Sequence, residues 1–229
     1  MTLEYQQFLN EDGDVDLQLL PAEGVMVDDY EPGFRRQLAL AYIKTYIPCD
    51  IRSAKLFEIT QGLAQRAKKE GKFLSTCGFV AFWLGYRLGC RDLTWLNRDL
   101  PETTTYEYIN GLNMSKFDGG GRKAGYVINW DRGASPELCD MLFLSNGPPK
   151  TEHVCVWLGE RYEGTKVFWN TADGGQIDAN NDQCAKLVER ELIQERSCLM
   201  TVNGPKKIIA VLKLNRLKLT APAKPDVVE

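Results

Sequence analysis

Residues 153–170, HVCVWLGERYEGTKVFWN, combine two apolar runs with a short polar segment between them. The runs HVCVWLG and KVFWN are rich in β-branched and aromatic residues, which favour strands. The polar segment 160–164 ends in glycine and is short enough for a hairpin turn. This stretch therefore predicts two antiparallel strands, with His153 opposite the window 170–174.

Further elements are predicted on both sides of this hairpin. Three apolar stretches predict strands: 125–130, 139–145 and 198–214, the last a hairpin with Asn203-Gly204 at its turn. Apolar residues at helical spacing predict four helices: 34–47, 54–71, 77–89 and 103–111. Because the helices come first and the antiparallel strands second, the sequence indicates the α+β class.

The chain is 229 residues long, a length typical of one large domain. We expect a main domain over 32–219, with an acidic N-terminal extension over 1–31 and a loose tail over 220–229. The extension holds nine acidic residues and no lysine or arginine. Two interpretations of it stay open: a solvated lead-in with a few anchoring apolar residues, or a segment that shields a basic face or binds a partner.

Composition argues against several classes of partner. With 28 basic and 31 acidic residues the net charge is −3, which opposes binding to nucleic acid through its phosphates. The most apolar stretch, 78–86, is much shorter than a membrane span requires. The first residues also lack the basic and apolar regions of a secretory signal. We therefore expect synthesis in the cytoplasm, with any export or injection following a route that needs no signal peptide.

Seven cysteines are scattered along the chain, and none of them forms a C-x-x-C pair. An odd, scattered set predicts neither a disulfide framework nor a zinc site. Most are expected to be small buried side chains, and Cys139 and Cys155 lie beside or within apolar runs. His153 is the only histidine, so catalysis by an imidazole would depend on this residue.

Cys77 follows a Ser-Thr pair that can cap the helix predicted after it. A thiol at a helix start faces unpaired backbone N–H groups and the positive end of the helix dipole, which lower its pKa below the ordinary value of about 8.5. A helix-start cysteine with a strand-start histidine downstream suits a thiolate–imidazolium catalyst. In the window opposite His153, Asn170 and Asp173 could hold the ring by its second nitrogen, although the same segment is otherwise an ordinary polar turn.

Three stretches resemble one family of enzymes. The stretch STCGFVAFWLG (75–85) is similar to the nucleophile helix of NlpC-type cell-wall cysteine peptidases. SPELCDMLFL (135–144) and EHVCVWLG (152–159) resemble the first core strands of that family. VFWNTADGGQ (167–176) resembles the next strand, whose start carries the third polar residue of the site.

The resemblance implies an α+β, papain-like NlpC-type fold in which the nucleophile helix packs on an antiparallel sheet. It also implies a thiol-dependent amidase or peptidase that cleaves peptidoglycan stem peptides without a metal or another cofactor. Carried onto this chain, Cys77 is the nucleophile and His153 is the base. The third position falls best on Asn170, with Asp173 as the nearby alternative.

Such an enzyme would act as a lysin or as an injected effector, and an effector would be accompanied by an inhibitory or immunity partner. Two alternatives stay open. One is a protein-modifying toxin, either a glutamine deamidase or a transglutaminase-like enzyme, that uses the same side chains on a protein substrate. The other is a catalytically silent binding module with Trp83, Trp157 and Trp169 along a groove.

Overall fold

The computed structural model describes residues 2–47, 77–91, 121–145, 153–177 and 183–225. The helices predicted over 54–71 and 103–111, and the capping residues before Cys77, lie outside these ranges. The helices predicted over 34–47 and 77–89 are confirmed as α1 (Phe34–Tyr46) and α2 (Phe79–Arg87). Among the described residues, no helix has the length and apolar character that crossing a bilayer requires.

The described strands form one seven-stranded sheet in which every pairing is antiparallel. Their bounds are β1 Val127–Asn129, β2 Met141–Ser145, β3 His153–Glu163, β4 Lys166–Ile177, β5 Gln183–Ile193, β6 Cys198–Thr201 and β7 Gly204–Leu212. The order is β1-β7-β2-β3-β4-β5-β6, and β7 also pairs with β6. Since β7 pairs with both β2 and β6, strands β2 to β7 close into a six-stranded antiparallel barrel, and β1 lies outside it beside β7.

The expected fold class is therefore wrong. The described residues form mostly a closed antiparallel barrel with few helices, and not a papain-like α+β fold with the nucleophile helix packed on a sheet. The apolar runs identify most strands one by one, but closure depends on how the two ends of the sheet meet. The start of β7 pairs with β6 and its end pairs with β2, with a register shift between Phe143 and Leu144. No local pattern in the sequence reports this double pairing.

The sequence patterns also do not predict β5, the strand that connects the β3–β4 hairpin to β6. Its residues, QCAKLVERELI, include several Glu, Lys and Arg side chains, of which Glu and Lys are depleted in strands. They form a strand because β4 offers a long antiparallel partner, from Val167 opposite Leu192 to Ile177 opposite Gln183. Tertiary pairing thus overrides local propensity.

The hairpin of β3 and β4 turns later than the sequence predicts. Glu163 lies opposite Lys166, so the turn consists of Gly164 and Thr165 and shares only Gly164 with the predicted segment 160–164. The polar end of β3 stays in the sheet because its backbone pairs with β4 as far as Glu163 opposite Lys166, and its charged side chains lie on the exposed surface. Arg161 donates from Nε and Nη2 to the carboxylate of Glu189 at 2.9 and 2.8 Å.

The barrel strands have two apolar faces, because side chains alternate along each strand. One face forms a cluster inside the barrel, and the other packs against α1, α2 and the N-terminal segment. The inner cluster includes Leu142, Leu144, Cys155, Val167, Trp169, Leu199, Ile208 and Val211. The outer cluster includes Met141, Phe143, Val154, Val156, Ala172, Ala210 and Leu212 of the barrel. The inner face of β3 therefore carries His153 together with Cys155.

The N-terminal segment packs on the outer cluster through apolar side chains. Those that are buried are Phe8, Val15, Leu17, Leu20, Val25 and Val27. Arg35 of α1 pairs with Asp28 and donates from Nη1 to the carbonyls of Leu214 and Leu217 at 2.8 and 2.9 Å. The division into a main domain over 32–219 with two flanking segments stays a prediction.

Candidate active site

Cys77 lies immediately before α2. The N-cap of α2 is Gly78, so the thiol precedes the helix instead of standing within its first turn. The residue is half-buried. Gly175 of β4 approaches it with a φ of +65°, and a Cβ added to this glycine would lie 2.9 Å from the backbone nitrogen of Cys77. Strand β4 therefore packs directly on the backbone of the candidate nucleophile.

His153 is the first residue of β3 and is buried, with 8% of its surface exposed. Nε2 of the ring hydrogen-bonds to Oδ1 of Asp173, and the side chain of Cys77 hydrogen-bonds to the ring as well. The imidazole therefore links Cys77 to Asp173.

Asp173 is fully buried on β4 and has three side-chain partners. Oδ1 accepts from the His153 ring and, at 2.7 Å, from Nη2 of Arg190 on β5, while Oδ2 accepts from the hydroxyl of Thr171. Burial raises the pKa of this carboxyl, but the hydrogen bond and charge of His153, the charge of Arg190 and the Thr171 hydroxyl outweigh burial and hold the pKa below its ordinary value. Asp173 is therefore a carboxylate at neutral pH.

The surroundings of His153 favour its protonated form. Burial lowers the pKa of the ring, but hydrogen bonds to Asp173 and Cys77, together with the negative charges of both groups, outweigh burial and raise the pKa to about 9. At neutral pH the arrangement therefore favours an imidazolium beside Cys77. The thiolate is the form in which a cysteine acts as a nucleophile.

Of the two predicted third residues, the structure brings Asp173 to His153 and does not bring Asn170. Alternate residues of a strand share a face, and the hydrogen bond between Thr171 and Asp173 shows that these two share the inner one. Asn170 therefore lies on the other face of β4. A difference of one residue in register decides which of the two side chains reaches the ring.

Three residues of the site are missed by the sequence patterns. Arg190 and Thr171 contact Asp173, and Lys206 of β7 lies inside the barrel with 5% of its surface exposed. Arg190 belongs to a charged stretch and Lys206 follows a predicted turn, two settings in which exposed side chains are expected. Thr171 could have been found by the alternation of strand faces, counted back from Asp173.

Three side chains with metal-ligating atoms also meet here. The donor atoms of His153, Cys155 and Asp173 lie within 4.8 Å of one another. They do not suit a metal ion, because burial raises the pKa of Cys155 well above its ordinary value and a thiol must ionise to bind a metal. The guanidinium of Arg190, 2.7 Å from Asp173, would also repel a cation. That no metal or cofactor takes part stays a prediction.

The burial predicted for Cys139 and Cys155 is confirmed, since these residues are 0% and 1% exposed. Burial raises the pKa of Cys139 to about 12, so this thiol is not ionised at neutral pH. Within the described residues, Cys77 is the cysteine that hydrogen-bonds to the ring of His153. Its position beside His153 therefore separates Cys77 from these two thiols.

The tryptophans of the binding-module alternative do not share one surface. Trp83 packs in the outer cluster against Tyr42 and Tyr46. Trp157 and Trp169 pack together in the inner cluster, with 6.0 Å between their ring centroids. Trp83 and Trp169 are each only 4% exposed. A groove lined by all three rings is therefore not formed.

Comparison of the chain with family models, with curated proteins and with solved structures finds no match. The resemblance to NlpC-type peptidases around Cys77 and His153 therefore stays a prediction. Support for a function comes from the geometry and chemistry of the site itself.

Proposed function

We propose that this protein is a thiol-dependent hydrolase of amide bonds in which Cys77, His153 and Asp173 act together. The observation that carries the proposal is the position of the His153 imidazole, which bonds to a buried carboxylate and to the Cys77 thiol. A nucleophile, a base and a group that orients the base are the parts that activation of a thiol requires.

The first half of the reaction transfers the acyl group to Cys77. The thiolate attacks the amide carbonyl, a C–S bond forms, and the carbonyl electrons move onto oxygen. When the tetrahedral intermediate collapses, the C–N bond breaks and the His153 imidazolium gives its proton to the leaving amine. The products of this half are a free amine, a thioester on Cys77 and a neutral imidazole.

The second half releases the acyl group. Neutral His153 takes a proton from water while the water oxygen attacks the thioester carbonyl. The C–S bond then breaks, the Cys77 thiolate returns and the acyl group leaves as a carboxylic acid. Asp173 orients the ring throughout and keeps its own charge, because its pKa lies below the ordinary value.

We propose the stem peptides of peptidoglycan as the substrate. The support is the resemblance of residues 75–85 and 152–159 to the motifs of cell-wall cysteine peptidases. A lysin or an injected effector would carry out this reaction, and an effector would need an inhibitory or immunity partner in the cell that makes it.

Digestion of purified peptidoglycan, with the new termini identified by mass spectrometry, tests activity and substrate together. Cys77→Ala and His153→Ala should each lower turnover by about 10³-fold or more, because the two groups act as a unit. Cys155→Ala is the matched control, since it removes a buried thiol close to His153. It should cost about 1 kcal/mol of stability and leave turnover near that of the wild type.

Alkylation by iodoacetamide separates the chemistry from the choice of substrate. If Cys77 reacts much faster than the other cysteines but peptidoglycan stays intact, the substrate is a protein, as for a deamidase or a transglutaminase-like toxin. Uniformly slow alkylation would favour a silent binding module. Near-wild-type turnover in Cys77→Ala would contradict the hydrolase itself.

A further inference from the structure

Arg190 is a buried arginine of β5, with 5% of its surface exposed. It lies opposite Trp169, a residue of the inner cluster, so its side chain enters the barrel interior. There Nη2 donates to Oδ1 of Asp173 at 2.7 Å, and Nη1 donates to the carbonyl of Met200 at 3.3 Å. Nε is buried and has no acceptor among the described residues. A charge buried with one donor unsatisfied lowers the stability of a fold, so packing alone does not account for an arginine here.

The carboxylate of Asp173 presents the same oxygen to two partners. Oδ1 accepts from the ring of His153 and from Arg190, and all three side chains are buried. The two partners differ in what happens to their charge during the proposed reaction. The imidazolium gives its proton to the leaving amine and becomes neutral, whereas a guanidinium is not deprotonated in proteins. After the first half of the reaction, Arg190 is therefore the partner that still balances the carboxylate.

We propose that Arg190 is a positioning residue that keeps Asp173 ionised while the ring of His153 is neutral. Without Arg190, a buried carboxylate beside a neutral ring would be costly, so the pair would retain a second proton. Whether that proton lay on the ring or on the carboxyl, the ring nitrogen that does not face Asp173 would carry a proton and could not act as a base. With Arg190 in place, the neutral ring donates from Nε2 to Asp173 and its other nitrogen can take a proton from water. The inference rests on the proposed function, in which neutral His153 activates water in the second half of the reaction.

The charges around this pair come from several elements. The charge of Arg190 helps to hold the pKa of Asp173 below its ordinary value. Other charged or titratable groups of the described residues surround the pair and Arg190, and they are Cys77 before α2, Cys155 of β3, Lys186 of β5 and Lys206 of β7. Because a variant of Arg190 leaves the identity of all these groups unchanged, a shift in the titration of the ring reports the charge of the arginine.

The test is NMR titration of isotopically labelled histidine, which reports a single ring because His153 is the only histidine of the chain. A Cys77→Ala background removes the thiolate beside the ring, as formation of the thioester does. In this background, Arg190→Gln should raise the midpoint of the ring titration by about one pH unit, because the pair gives up its proton less readily. Arg190→Lys keeps the charge and should stay near the midpoint of the background protein. Arg161→Gln is the matched control, because the ion pairs of Arg161 are exposed.

An unchanged midpoint in folded Arg190→Gln overturns the inference, and so does an equal shift in Arg161→Gln. If Arg190→Gln does not fold, Arg190→Met, which also lacks the charge, is compared with Arg190→Lys in the same way. The titration needs no substrate, so its result is independent of whether the protein is a hydrolase. Slow alkylation of Cys77 in the wild type, in contrast, contradicts the proposed function.

Discussion

Asp173 holds two cationic groups together at the centre of the site. Its carboxylate binds the His153 ring on one side and Arg190 on the other, and all three side chains are buried. Because folding raises the pKa of His153 from 6.5 to about 9, this pairing stabilises the fold fully below about pH 6.5. The stabilisation is lost as the pH rises through about 9. Asp173→Ala would leave the buried Arg190 without an acceptor at this position, whereas Asp173→Asn removes the negative charge but keeps an acceptor oxygen, so Asp173→Asn is the informative substitution.

Asp173→Asn should move the alkaline limb of the pH–rate profile to lower pH. This limb reports loss of the imidazolium proton, which becomes easier to remove when the neighbouring negative charge is gone. In the wild type we expect the limb near pH 9. Rates of hydrolysis across pH provide the measurement, and Asn170→Ala on the other face of β4 is the control. If the alkaline limb of Asp173→Asn is unchanged and Asn170→Ala loses most of its activity, Asn170 orients the imidazole and the assignment of Asp173 is wrong.

At the scale of elements, β4 is the strand that packs on Cys77. Its register with β5 shifts between Asp173 and Gln176. Within this irregular segment lies Gly175, where an added Cβ would be 3.2 Å from Cα and 3.3 Å from Cβ of Cys77. Glycine is required here because the backbone is left-handed, with a φ of +65°, and because a side chain has no room.

Gly175→Ala should lower both the alkylation rate of Cys77 and the turnover by about tenfold or more, because the added methyl group displaces the nucleophile relative to His153. Gly164→Ala is the matched control. Gly164 has a similar φ of +59°, but no described atom lies within 4 Å of its added Cβ. Gly164→Ala should lose about 1 kcal/mol of stability from backbone strain, and Gly175→Ala should lose more because its methyl group also clashes with Cys77. Equal losses of activity in the two variants would argue that Gly175 does not position the nucleophile.

At the scale of the whole molecule, the N-terminal and C-terminal segments meet on the outer side of the barrel. Val25 pairs with Ala223 in an isolated antiparallel bridge. Close by in the chain, Arg35 connects Asp28 to the carbonyls of Leu214 and Leu217. No residue of the candidate active site takes part in these described contacts, so this junction concerns stability rather than chemistry.

Arg35→Ala should lower the free energy of unfolding by about 3 kcal/mol, because two buried carbonyls and one carboxylate lose their donor. Urea unfolding measures the change. Arg161→Ala is the control, because the ion pairs of Arg161 with Glu163 and Glu189 are exposed. Its midpoint of urea unfolding should equal that of the wild type. In the absence of denaturant, the rate of alkylation of Cys77 should be the same in both variants. A wild-type midpoint in Arg35→Ala would show that the junction does not stabilise the fold.

The sequence by itself determined those features that depend on residues close together in the chain. Helical spacing of apolar residues was sufficient for α1 and α2, and β-branched and aromatic runs were sufficient for β2 and for the apolar parts of β3 and β4. The hairpin of β6 and β7 also follows from its turn residues, although Thr201 pairs with Gly204 and the turn lies one residue earlier than predicted. Cys77 and His153 could be singled out because one precedes a helix and the other is the only histidine.

Only the tertiary structure decided the fold class and which polar residue of β4 reaches His153. Closure of the barrel depends on β7 pairing with two strands at once, and β5 is a strand because of its partners and not because of its composition. Asp173 instead of Asn170 reaches the ring because register, which is set by pairing along the whole hairpin, assigns each residue to a face. Arg190 is a buried cation because the carboxylate that balances it, Asp173, comes from another strand. Such contacts between distant residues are properties of the assembled sheet, and no single segment of the sequence encodes them.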